Sequence, residues 1–414
     1  LKSFILLEVY LLKYLVILTD GMADEPLQQL KGRTPLQVAH TPNIDKLAKL
    51  SHIGMVATIP EGFSPGSDVA NLSVLGYDPA IYYTGRSPLE AVSMGIALGD
   101  QDLAFRCNLV TLSSHADSGQ QTMADYSAGE ISTRESAVLI KDLARELIPA
   151  GFELHAGISY RHLLIWKNGR GKDIHLTPPH DISDRQIGAY LPSGTGAAPL
   201  LDIIKHSQEF LSRHPINQER IKSGRNPANS VWFWGEGVRP ALPTFSELYG
   251  IKGAVVGAVD LIKGLGISAG LQPIQVEGAT GAIITNFAGK AEAAIQALKS
   301  GYDFVYVHIE SPDEAGHQGN LEQKIWSIEQ IDQEVIERVI NVLPELEPVR
   351  ILIMPDHPTP IRIKTHSGNP VPYLLFDSEK PVNNSIGVYD ETEARQGIMI
   401  NNGHELMSYF ITSK

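Results

Sequence analysis

The sequence is poor in cysteine: Cys107 is the single one among 414 residues. A disulfide within the chain is excluded, and so is a metal site built on several thiolates. A lone cysteine in an apolar stretch reads as a buried small hydrophobe, and the count fits a reducing compartment. Long uninterrupted apolar runs are also missing. Residues 1–18, LKSFILLEVYLLKYLVIL, are apolar, but Lys2, Glu8 and Lys13 break them. What remains falls short of the ~18–20 apolar residues of a membrane span, and no small-residue cleavage site follows. Residues 1–11 read as an extension or a start-site artefact, with Leu where Met is expected; residues 14–19 read as a buried strand. Blocks of Lys or Arg are absent, and the formal net charge is −13. Without a basic stripe to replace phosphate counterions, nucleic-acid binding is not expected. No G-x-x-x-x-G-K-[ST] loop occurs, so any use of ATP would have to rely on metal ions. The reading is a cytoplasmic protein without nucleic-acid or membrane partners.

What is present is an ordinary globular balance, 43% hydrophobic and 20% charged, in a chain long enough to bury a large core. Apolar runs alternate with helical stretches, the pattern of an α/β sheet with helices on both faces. The runs YLVILTDG (14–21), FVYVHIE (304–310) and RILIMPD (350–356) each end abruptly in acidic residues. MVATI (55–59) reads as a short strand, NIDKLAKLS (43–51) as a helix, and LEQKIWSIEQIDQEVIERVINVL (321–343) as one long amphipathic helix. Between them, strand 104–112, helix 131–147, strands 152–160 and 161–167, and helix 199–215 form a β-α-β-β-α series, a small separate sandwich. The spacing predicts an inserted α+β domain over 101–224 in a core made of 1–100 and 225–414.

Open α/β sheets place their chemistry at the carboxyl ends of strands. Asp20 closes the first run, Asp356 and His357 follow the third, and Asp313 and His317 lie in ESPDEAGHQG after the second. His366 sits in THSGNPVPYLLF, just before another apolar run. A pair at i and i+4 shares one helix face and can clamp one ion, although Pro312 and Gly316 favour a loop entering a helix. Each piece alone is equally well read as a turn residue, a cap or a solvated pair. It is their conjunction, in four segments, that points to a metal centre. Carboxylates with imidazoles suit Mn²⁺, Zn²⁺ or Mg²⁺, the histidines tilting away from Mg²⁺ alone. Two such ions about 3.5–4 Å apart can neutralise a phosphoryl group in transfer and activate a nucleophile.

Ser67 in GFSPGSDVANLSVLGYDP falls at a predicted helix N-terminus, where the dipole and free N–H groups favour an anion. That suits a serine nucleophile; position alone also fits a plain N-cap, and Ser64 and Ser73 compete with it. Candidate anion-binding residues are Arg86, Arg106, Arg161, His162 and Lys263, since Arg grips phosphate or carboxylate bidentately and Lys acts as a point charge. His180 and Asp181, after two prolines, are read equally well as site residues or as a turn.

Taken in order, LVILTDGMAD, TPNIDKLA, GSDVANLSVLGYDP, YYTGRSPLEA, RCN, SYRHLL, VDLIKGLG, SPDEAGH, MPDH and THSGNPVPYLL resemble the archaeal-type cofactor-independent phosphoglycerate mutases of the alkaline phosphatase superfamily, from about residue 12 onward. The resemblance implies an alkaline-phosphatase-like α/β core, and an insertion that closes over substrate. It implies one metal on Asp20, Ser67, Asp356 and His357, and another on Asp313, His317 and His366. Mn²⁺ is the first choice, with Mg²⁺, Zn²⁺ or Co²⁺ as alternatives, and no 2,3-bisphosphoglycerate is needed. Lys263 would steady the phosphoryl group in flight; the arginines, His162 and His180 would hold a small phosphorylated carboxylate. The implied reaction exchanges 3- and 2-phosphoglycerate, a step of glycolysis and gluconeogenesis, through phosphorylated Ser67. Ser87 stands where the family pattern has glycine, and LPSGTGAAP (191–199) has no counterpart in that pattern. Because relatives of this group phosphorylate homoserine, the acceptor is not fixed; a metal-dependent phosphatase and a non-catalytic metal-binding protein are the other readings. The sequence is compatible with a homo-oligomer without specifying one.

Overall fold

The computed structural model describes residues 12–114, 120–382 and 387–412; the extension expected at 1–11 lies outside them. The chain divides into two compact units, Leu1–Tyr83 with Ala241–Lys414, and Thr84–Pro240. Among the described residues the strands are β1 (Lys13–Thr19), β2 (Ser51–Val56), β3 (Leu103–Ser114), β4 (Gln121–Asp125), β5 (Phe152–His155), β6 (Arg161–Trp166), β7 (Ser230–Gly237), β8 (Gly253–Val256), β9 (Gln272–Ile274), β10 (Phe304–Ile309), β11 (Val349–Met354), β12 (Val371–Asp377) and β13 (Ile398–Ile400).

In the larger unit eight of these form one sheet in the order β13-β2-β12-β11-β1-β10-β8-β9. The apolar runs of β1, β10 and β11 are buried on both faces, as parallel strands covered by helices must be. β12 runs antiparallel to both neighbours; every other pairing is parallel. Register places the carboxyl ends of β1, β10 and β11 side by side, Thr19 beside Ile309 and Leu18 beside Met354. Asp20, Glu310 and Asp356 therefore leave the sheet at one edge. Because β12 is reversed, its amino end returns to that edge, and the segment before it carries His366.

Helix Phe287–Lys299 and the helical run from Leu321 pack over the sheet through Ala291, Ala294, Ile328, Ile331 and Val335. That run was expected to be one helix over 321–343. It is helical from Leu321 to Asn341 but widens to a π-helix over Ile331–Ile336. There the buried Asp332 accepts hydrogen bonds from the backbone N–H groups of Asn43 (3.0 Å) and Ile44 (2.7 Å). β2 starts at Ser51 rather than 55, because the chain is taken up there between β12 and β13.

In the smaller unit the twelve-residue β3 pairs with β7 along one side and with β6 and then β4 along the other, all antiparallel. Helices Thr133–Glu146 and Ala198–Arg213 cover one face, packing Leu139, Leu143, Leu200 and Ile203 against Phe105, Cys107 and Leu109. β7 belongs to this sheet, and the compact unit runs from Thr84 to Pro240, beyond the 101–224 expected from sequence. No helix among the described residues is long and apolar enough to cross a membrane.

Candidate active site

After β1 the chain turns through Gly21 (φ +62°), where a Cβ would lie 2.5 Å from Thr359 Oγ1 and 2.7 Å from the Asp313 backbone. Only glycine fits, and the turn sets Asp20 against the segments that follow β10 and β11. Three overlapping groups result: Asp313–His317–His366, Asp20–Asp313–His357 and Asp20–His308–Asp356, the ligand atoms of each lying within 4.8 Å of one another.

Asp313 and His317 stand on helix Ser311–Gln318, not on the loop that Pro312 and Gly316 suggested. Proline is tolerated in a first helical turn because its missing N–H has no intrahelical partner there. His317 Nε2 lies 3.2 Å from Asp313 Oδ2, and His366 Nε2 lies 3.4 Å from Asp313 Oδ1. The two Nε2 atoms are 2.9 Å apart. Their Nδ1 atoms face the backbone carbonyls of Lys364 (3.1 Å) and Pro65 (3.4 Å). A carbonyl only accepts, so each Nδ1 carries a hydrogen, and Nε2 is the ring nitrogen aimed inward at Asp313. Two ring nitrogens this close share a proton or a cation. Burial lowers the pKa of His317, yet the Asp313 carboxylate outweighs it and raises it to about 9.

Asp356 is fully buried and held on both oxygens. Its Oδ1 accepts from the backbone N–H groups of His357 (2.9 Å) and Gly21 (3.3 Å), and its Oδ2 accepts from Asn71 Nδ2 (2.8 Å). His357 Nε2 lies 3.4 Å from Asp356 Oδ2, 3.7 Å from Asp20 Oδ1 and 3.1 Å from Ser67 Oγ. Burial pushes its pKa down to about 4, leaving a neutral imidazole able to ligate. Burial, and then the charges of Asp356 and Asp313, push the Asp20 carboxyl well above the usual range. Asp20 Oδ1 is buried without a hydrogen-bond partner. Converging ring nitrogens, an orphaned carboxylate oxygen and mutually repelling acids all fit divalent cations, and the mixed oxygen–nitrogen donor set fits Mn²⁺ or Zn²⁺.

Ser67 is the first residue of helix Ser67–Val74; the cap position is Gly66, so Ser67 is not the N-cap. Asn71, one turn on, donates to the Ser67 carbonyl (2.8 Å) as well as to Asp356, and accepts from Tyr306 Oη (2.6 Å). One amide thus ties the Ser67 helix to the β11 loop. Ser64 is exposed, and Ser73 is buried in the helix. Lys324, fully buried, donates to Asp24 (2.7 Å) and to the Thr359 carbonyl (2.8 Å), joining the loops after β1 and β11. Thr359 Oγ1 in turn donates to Asp313 Oδ1. Lys263 lies in helix Asp260–Ser268, its Nζ 3.9 Å from Asp260.

The smaller unit holds the remaining candidates. Glu90 accepts from Arg86 Nε (2.9 Å) and Arg106 Nη1 (2.5 Å), and both guanidinium groups lie over Trp234, at 5.8 and 5.0 Å. Burial alone would raise the Glu90 pKa; Arg106 and Arg86 hold it below the usual range. His180 meets the same Trp234 ring edge-on at 5.1 Å, while its Nε2 lies 3.7 Å from Asp181. Arg161 and His162 sit on β6, opposite Asn108 and Cys107. His162 Nδ1 accepts from the Gly157 N–H (3.0 Å), so the hydrogen is on Nε2. Burial, then Arg106 and Arg161, push its pKa down to about 3. His162 Nε2 and Arg106 Nε are both buried without a partner. Ser87, the departure from the family pattern, is buried and donates to the Gly235 carbonyl, fastening its helix to β7.

Sequence reasoning missed Asn71, Thr359, Lys324, Glu90, Trp234 and His308. For His308 a signal existed, a lone polar residue inside an otherwise apolar strand. For the others none did, since the contacts that reveal their roles span 16 to 300 positions.

A family model described as 2,3-bisphosphoglycerate-independent phosphoglycerate mutase matches residues 48–217. A probable enzyme of that name from Geobacter sulfurreducens is 49% identical over 401 residues, 97% of this chain and 100% of the relative. Among solved structures, a Pyrococcus horikoshii protein is 33% identical with TM-score 0.80, covering 97% of each chain. The cofactor-independent phosphoglycerate mutase of Thermoplasma acidophilum is 27% identical with TM-score 0.63, covering 96% of this chain and 98% of its own. On this likeness along its whole length, the chain belongs to the 2,3-bisphosphoglycerate-independent phosphoglycerate mutases.

Proposed function

We propose that this chain interconverts 3- and 2-phosphoglycerate through a phosphoserine on Ser67, with two divalent ions, Mn²⁺ by first choice. Asp20, Ser67, Asp356 and His357 would hold one ion, and Asp313, His317 and His366 the other. Such ions, when bound, neutralise the non-bridging oxygens of a phosphoryl group and favour an ionised hydroxyl near neutral pH. The observation that carries the reading is Ser67 Oγ at a helix N-terminus, 3.1 Å from His357 Nε2, beside the buried acids and imidazoles.

The chain's own residues do the rest. The first-turn N–H groups of the Ser67 helix favour an anion. Asn71 fixes the Ser67 carbonyl while fixing Asp356, so nucleophile and ligand share one orientation. Ser67 takes the phosphoryl group from the 3-oxygen, glycerate reorients, and its 2-hydroxyl takes the group back. Each step forms one O–P bond and breaks one, so neither a nucleotide nor a bisphosphate is consumed. Lys263 would steady the transferring group. Arg106 Nε and His162 Nε2 are buried donors that a carboxylate or phosphate would satisfy, which supports a substrate-binding role for them with Arg86, Arg161 and His180. The Thr84–Pro240 unit would serve as the closing cap, since a phosphoserine open to water hydrolyses.

The test is turnover of purified, Mn²⁺-loaded protein, coupled to enolase without added 2,3-bisphosphoglycerate. Activity should fall at least about 10³-fold in Ser67→Ala. Metal-loaded wild type with no turnover would remove the mutase reading and make homoserine with ATP the next substrates.

A further inference from the structure

His308 lies outside the two ligand sets proposed for the ions, although it shares a cluster with Asp20 and Asp356. It is the fifth residue of β10, fully buried, and neither ring nitrogen is aligned for a hydrogen bond. Its two ion-pair contacts are both with buried carboxylates: Nε2 lies 3.3 Å from Asp20 Oδ2, and Nδ1 lies 3.4 Å from Glu310 Oε1. Glu310 is fixed in turn. Its Oε1 accepts from the Ala258 N–H (3.1 Å), and its Oε2 accepts from the ammonium of Lys290. Lys290 is also fully buried and donates to the His308 carbonyl (3.0 Å).

These contacts form one chain, Lys290–Glu310–His308–Asp20, running from helix Phe287–Lys299 under the sheet edge to the first ligand. Asp20 divides its oxygens: Oδ1 faces His357 and the other ligands, and Oδ2 faces His308. A carboxylate with one oxygen toward a cation site and the other on an imidazole has a fixed rotation. Glu310 Oε1, 3.4 Å from Nδ1, flanks the far side of the ring and limits its tilt. Without Lys290, Glu310 would add a further unmatched acid beside Asp20, Asp313 and Asp356.

We propose that His308 is a positioning residue for Asp20, anchored through Glu310 to Lys290, and that it sets the affinity of the metal site to which Asp20 belongs. The inference rests on the metal reading above. Removing such a partner of a ligand lowers metal affinity about 10–100-fold.

Calorimetric titration of Mn²⁺ into metal-free full-length protein tests it. His308→Ala should weaken one of two binding events by about 10–100-fold and leave the other unchanged. His308→Gln, whose amide nitrogen can occupy the place of Nε2, should recover most of that loss. Metal-free melting of both variants should stay within a few degrees of wild type. Two unchanged events in His308→Ala would overturn the inference. So would a loss that Gln does not recover and that comes with lower metal-free melting, because His308 would then be packing alone. Wild type that takes up no Mn²⁺ is a different failure, of the metal reading itself.

Discussion

In the smaller unit the buried Glu90 carboxylate is matched by Arg86 and Arg106, both arginines rest on Trp234, and what is left over is a donor, Arg106 Nε. In the larger unit Asp20, Asp313 and Asp356 crowd together with His317, His357 and His366, and a carboxylate oxygen is left over. The difference shows what each cluster is built for. Opposite charges satisfied within the protein hold a fixed, pre-oriented surface. Like charges gathered in low dielectric need a proton or a cation to join them. Backbone placement is consistent with this, because Arg106 stands on β3 and Arg86 caps a short helix, whereas Asp20 and Asp356 come from loops and Asp313 from a helix, tied together by Lys324, Thr359 and Asn71.

Asp313→Ala should break the contrast most, since Asp313 contacts both His317 and His366. Loss of Mn²⁺ affinity by about 10³-fold or more is expected by calorimetry, ligands being worth more than the residues behind them. Arg106→Met should instead leave Mn²⁺ binding unchanged and raise KM about 10²-fold, a bidentate charged contact being worth about 2–3 kcal/mol; altered metal affinity there would dissolve the distinction. Chelation by EDTA should lower the unfolding free energy by about 3 kcal/mol at metal concentrations near 100 times Kd, read from denaturant curves. An unchanged curve would mean the acid cluster holds no ion tightly.

A smaller effect is expected at Glu391, which accepts from Thr34 Oγ1 (2.7 Å) and the Asp24 N–H (3.1 Å). Burial raises its pKa from 4.5 to about 7. The folded state holds that proton more tightly than the unfolded one, so stability from this group is greatest below pH 4.5 and is lost as pH rises through 7. Glu391→Gln should gain on wild type by on the order of 1–2 kcal/mol between pH 5 and 7. A constant difference between the two across that range would show that Glu391 ionises normally.

Much of the fold was legible because a buried parallel strand has a local signature: β1, β10 and β11 are unbroken apolar runs that end in acids. Six of the seven metal-centre candidates lie just past those runs or just before β12; Ser67 lies instead at the start of a helix after β2. The insertion was legible as a change of pattern, but not its edges: β7 reads like any core strand, and only its pairing with β3 assigns it. Helix Ser311–Gln318 was missed because Pro312 was weighed as a breaker, although it falls in the one turn that needs no N–H.

By itself the sequence determined which residues could ligate metal, which could act as nucleophile, and that strand ends would carry them. Side-chain chemistry and local periodicity are properties of neighbours along the chain. Tertiary structure alone decided that β12 runs backward and returns His366 to the sheet edge, that Asn71 joins Ser67 to Asp356, and that His308 stands between Asp20 and Glu310. Those are contacts between segments up to hundreds of residues apart, and their geometry follows from strand order and burial, which no local pattern encodes.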